Sequence, residues 1–155
     1  MKLSRQSGFS MVEVLVTMVI LAIGLLGTAG LQIASVRNTQ IAAQRSIATQ
    51  QAYDIAERIR ANLGRPVASG GAPGGAVNGS YDALDASTPA VPVCNPCTPA
   101  QQAVADHAAW NAANARTLPN GSGTVVGSWT AGYTVTLNWD EPNAPGQSFQ
   151  TVVHP

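Results

Sequence analysis

Residues 8–36 read Gly8-Phe9-Ser10-Met11-Val12-Glu13 and then VLVTMVILAIGLLGTAGLQIASV, and this stretch decides how the rest of the chain is read. The 23 residues from Val14 to Val36 carry no charge. As helix at about 1.5 Å per residue they reach about 35 Å, enough to cross a bilayer core. Lys2 and Arg5 stand before the run and Arg37 is the first charge after it, a distribution that favours a cytoplasmic N-terminus. An ordinary secretory signal places its apolar stretch before the cut and discards it. Here the polar residues come first, so a cut ahead of the run would leave the hydrophobic helix in the product.

The segment GFSMVEVLVTMVILAIGLLG resembles the type IV prepilin signature. The resemblance implies that a prepilin peptidase cuts between Gly8 and Phe9, that the new N-terminal Phe9 is methylated, and that Glu13 is the assembly carboxylate. A carboxylate at full membrane depth costs on the order of 2.5 to 3.5 kcal/mol, so it needs a positive partner. In a filament the free amine of a neighbouring subunit's Phe9 would serve, making Glu13 a device that sets helix register. Gly24, Gly27 and Gly30 recur every three residues and admit two readings: close helix contacts, or local loosening of the helix.

Working outward, Ile47, Ala48, Ala52, Ile55, Ala56, Ile59 and Leu63 recur at three- and four-residue spacing, with Arg45, Gln51, Asp54, Arg58 and Asn62 on other faces. The anchor therefore continues as an amphipathic helix from about Phe9 to Leu63, stopped by Gly64 and Pro66. Residues 65–93, rich in Gly, Ala, Pro and Ser, read as an exposed loop. Thr98-Pro99-Ala100-Gln101 has the form of a capping box, so a short helix is expected over 98–116, carrying Asp106, His107 and Trp110. Asp106 and His107 are adjacent, point in different directions and read as surface polarity. Tyr133, Val135, Leu137 and Trp139 alternate with Thr134, Thr136 and Asn138, a half-buried strand. With 124–129 before it and 149–153 after, the expectation is a three-stranded antiparallel meander over 124–153, its core including Trp129, Trp139, Tyr133 and Phe149.

The division expected is a leader at 1–8, a membrane and assembly half-helix at 9–36, an amphipathic half at 37–64, and a globular head at 65–155. The fold class is α+β: a long N-terminal helix packed on a small antiparallel sheet with one extra helix. From Arg37 onward six arginines face seven acids, and the whole chain has a formal net charge of zero, so no basic footprint for nucleic acid exists. The sequence GGAPGG lacks the Gly-Lys-Ser/Thr ending of a phosphate loop, and no nucleophile sits in a recognisable motif. No cofactor, metal or catalytic activity is expected. Cys94-Asn95-Pro96-Cys97 lies outside a thioredoxin-like βαβ setting, and the preferred reading is a short structural disulfide rather than redox-active thiols.

The blocks VLVTMVILAIGLLGTAGLQ, CTPAQQAVADHAAWNAANARTLPNGSGTV and YTVTLNWDEP resemble the minor pilins called type IV pilus modification proteins, of the PilV type. That resemblance implies a pilin-like fold and a minor structural subunit of the type IV pilus. Its partners would be other minor pilins, the major pilin and the prepilin peptidase, with the chain anchored once in the inner membrane, its head periplasmic, before entering the filament. The same N-terminus serves the minor pseudopilins of type II secretion, and a DNA-uptake or adhesive tip subunit is a third reading.

Overall fold

The computed structural model describes residues 8–63 and 80–154. Within them the chain forms α1 (Met11–Leu63), β1 (Ala83–Leu84), α2 (Pro99–Thr117), β2 (Ser122–Ser128), β3 (Gly132–Glu141) and β4 (Ala144–Val153). Two compact units divide it, Met1–Gln40 and Ile41–Pro155, and α1 contributes to both. The expected leader up to Ser7 and the stop signal at Gly64 and Pro66 lie outside the described residues.

In the first unit α1 is an uninterrupted helix whose large apolar side chains are exposed; Leu15 and Leu26 are 63% and 74% exposed. Helical hydrogen bonding satisfies its backbone, and the apolar side chains suit lipid or other apolar helices. The helix is long and apolar enough to cross a membrane.

The second unit is built on a four-stranded antiparallel sheet in the order β1-β2-β3-β4. Alternation along β3 buries Tyr133, Val135, Leu137 and Trp139 on one face. Ala48, Ala52, Ile55, Ala56 and Ile59 of α1, at three- and four-residue spacing, join that face in a single core with Val125 of β2 and Val153 of β4. Helix α2 adds Ala103 and Trp110. Its start is fixed locally, since Thr98 caps the first turn, Gln101 returns a bond to the Thr98 N–H at 3.0 Å, and Pro99 occupies the first turn, where no donor is required.

The observed architecture is the expected α+β, pilin-like one, with four strands in place of three. The extra strand, β1, lies inside the segment read as a loop. Two residues are too few to show a period, and what draws them in is Tyr81 and Leu84, both buried. Trp129 leaves the expected core: it sits in the turn between β2 and β3 and is 40% exposed. Phe149 is partly buried against the core.

Asp106 and His107, expected at the surface, are buried, and so is Asn62. Helix α2 is covered on two flanks, so neighbouring positions about a quarter turn apart are enclosed by different neighbours. Asp106 accepts from Tyr81 Oη at 2.7 Å and Gln102 Nε2 at 3.0 Å, and Arg58 Nη1 lies at 3.5 Å. Asn62 Nδ2 donates to Tyr81 Oη and to Pro99 O. His107 Nε2 and Asn111 Nδ2 both reach the Asp85 carbonyl, which ties residues 85–87 to α2. Burial and the bond to Asp106 push the Tyr81 hydroxyl well above its ordinary pKa. Burial opposes the charge on Arg58, but its contacts with Asp54 and Asp106 outweigh that and raise it.

Arg45 clasps Glu141 through Nε at 2.8 Å and Nη2 at 3.2 Å, joining α1 to the end of β3. That contact holds the Glu141 carboxyl below its usual range. Asp140, bonded by Asn120 and the Gly146 N–H, and Asp85, bonded by Ser87, are lowered likewise. A depressed folded-state pKa contributes stability that is complete above the unfolded value of about 4 and fades as pH falls through the folded one. The unfolding midpoint of the second unit, followed in the full chain in detergent, is expected to stay flat from about pH 8 to 5 and fall below about 4. Glu141→Gln should shrink that acid loss; a midpoint that rises on acidification would contradict the assignment.

Candidate functional site

Gly8, Phe9 and Ser10 precede α1 in non-helical backbone, and Phe9 is 81% exposed. The bond the expected peptidase would cut therefore lies outside regular structure, in chain that can extend into a partner's active site. Ser10 occupies the cap position: its Oγ accepts from Val12 N at 3.4 Å and its carbonyl from Glu13 N at 3.0 Å. Glu13 lies in the first turn. The positive end of the helix dipole there favours a negative side chain, so the helix itself supplies part of what the carboxylate needs. The spacing Ser10-x-x-Glu13 is a sequence signal for this cap that the reading of Glu13 as an assembly residue passes over.

Further along, Thr17 Oγ1 donates to Val14 O at 2.8 Å and Thr28 Oγ1 to Leu25 O at 2.9 Å, so both hydroxyls are satisfied within the helix. A methyl group added at Gly24, Gly27 or Gly30 would meet nothing among the described residues. No internal packing therefore explains their small size.

In the second unit Cys94 and Cys97 are brought together, their Cα atoms 4.9 Å apart, directly before the Thr98 cap of α2. Among the described residues no three His, Cys, Asp or Glu side chains cluster as metal ligands. Tyr133 Oη, buried close to Asp82, is pushed up to about 12, chiefly by burial and then by that carboxylate.

Residues 3–29 match the family model for the prokaryotic N-terminal methylation motif, a span that contains Gly8, Phe9 and Glu13. No curated protein and no solved structure matches the chain. The motif implies processing by a prepilin peptidase and assembly with other pilin-type subunits. A methylation motif, an exposed apolar helix suited to membrane anchoring, and an α+β head built on the continuation of that helix together make the chain type IV pilin-like.

Proposed function

We propose that the chain is a minor structural subunit of the type IV pilus that helps initiate or complete the filament, and is not an enzyme. The observation that carries this reading is the methylation motif over residues 3–29, which runs into an apolar helix whose large side chains are exposed. In this account cleavage between Gly8 and Phe9 frees an amine that is then methylated. The helix stays in the inner membrane with its N-terminus cytoplasmic and its head periplasmic. Glu13 meets the Phe9 amine of a neighbouring subunit, and the exposed apolar residues pack in the filament bundle, with other minor pilins and the major pilin as neighbours. The resemblance of residues 97–125 and 133–142 to modification-type minor pilins supports the minor role. Deleting the chain is expected to abolish surface pili and twitching while exoprotein release continues. Lost release with intact pili would instead make it a pseudopilin of type II secretion.

The Cys94–Cys97 pair is proposed as a structural disulfide that braces the segment entering α2. Its closed loop is too short to restrict the unfolded chain much, so the expected effect on stability is small. Mass spectrometry of the unreduced, alkylated chain should find neither cysteine labelled. Two labelled thiols would contradict the bridge.

A further inference from the structure

The two edges of the sheet differ in kind. Strand β1 is two residues long, whereas β4 is ten and, among the described residues, pairs with β3 alone. Which β4 groups are free follows from the ladder. The Asp140 N–H donates to Pro119 O at 2.9 Å, on the β2 side of β3. Backbone groups alternate sides along a strand, so Asn138, Thr136 and Thr134 also face β2, and Leu137, Val135 and Tyr133 face β4. Two other bonds agree, because Gly127 N reaches Asp82 O and Gly123 N reaches Asn111 Oδ1, both away from β3. Through the register Leu137↔Phe149, Val135↔Thr151 and Tyr133↔Val153, the backbones of Phe149, Thr151 and Val153 turn to β3. Those of Ser148, Gln150 and Val152 turn to the open edge, and all three residues are exposed.

Natural sheets guard such an edge with charge, proline, bulges or short length. Strand β4 carries its proline, Pro145, and the register irregularity against β3, between Trp139 and Glu141, at the hairpin end; beyond them residues 147–153, Gln-Ser-Phe-Gln-Thr-Val-Val, hold no charge and no proline. We propose that the free edge of β4 is a strand-addition site, on which an extended segment of a partner polypeptide exchanges backbone hydrogen bonds with Ser148, Gln150 and Val152. Only another extended backbone offers donors and acceptors at the matching two-residue spacing. The flanking side chains of Ser148, Gln150, Val152, Thr134 and Thr136 are uncharged, so the fitting segment is uncharged and free of proline. The site stands on the sheet alone and does not depend on the pilus reading.

The test uses the full-length chain in detergent and, as probe, a capped peptide copying Tyr133–Trp139. Amide hydrogen exchange at Ser148, Gln150 and Val152 is expected to slow by at least about tenfold, with Phe149 and Thr151 unchanged. The same peptide N-methylated along its pairing edge should have no effect. Gln150→Pro should abolish the protection while Phe149 and Thr151 stay slow, because the Gln150 N–H makes no bond to β3. Unaltered exchange at the three amides, or equal protection by the N-methylated peptide, overturns the proposal. Protection without peptide, together with self-cross-linking of Gln150→Cys, would assign the edge to a second copy of the chain and overturn the partner assignment.

Discussion

Trp110→Ala is expected to cost about 3 to 5 kcal/mol, the range for deleting a fully buried large aromatic. Domains of this size are held by roughly 5 to 15 kcal/mol, so the second unit of the variant should stay folded only with a much reduced margin, its urea midpoint far below that of the parent. Trp110 has no exposed surface, joins the core from α2, and donates its Nε1–H to Gln51 O on α1 at 2.8 Å. One side chain thus links both helices, and its ring packs directly over Gly123 of β2, where any Cβ would collide with it. Gly123→Ala should therefore also destabilise, by about 1 to 3 kcal/mol through overpacking. Urea denaturation of the full chain in detergent measures both. A Trp110→Ala midpoint equal to that of the parent would show that the helix–helix–sheet junction is not where the stability lies.

Gly8→Glu is expected to block processing altogether. The residue precedes the bond proposed to be cut, is exposed, and sits in non-helical chain where an added Cβ meets nothing among the described residues. The substitution should leave the fold of the second unit intact, and any effect then arises in recognition by the peptidase. The expected outcome is a full-length chain that accumulates in the membrane and is missing from surface filaments, with an unchanged urea midpoint. Normal processing of this variant would remove Gly8 from the cleavage site.

Where local chemistry dominates, the sequence is an adequate guide. The apolar run at 14–36, the capping box at Thr98 and Gln101, and the alternation from Tyr133 to Trp139 each depend on neighbours a few residues away, and each appears in the structure. What stays hidden depends on partners far along the chain. Asp106 is buried because Tyr81, 25 positions earlier, and Arg58, 48 positions earlier, meet it there. His107 is buried because the Asp85 carbonyl turns toward α2. Strand β1 exists because β2 offers it an edge, and nothing in the composition around Ala83 announces that. Trp129 shows the reverse error, since a large aromatic suggests core while its place in a turn leaves it exposed. At the N-terminus the expectation for Gly8, Phe9 and Glu13 rests on a linear motif, matched over residues 3–29, which can be read before any fold is known. The free edge of β4 is legible only once the register is in hand.

The most direct test of the account is the mass and N-terminal sequence of the mature chain isolated from membranes or filaments. The account predicts a chain that begins at Phe9, carries one added methyl group at its amine, and retains the whole apolar helix. A mature chain that begins at Met1, or downstream of Val36, would contradict it.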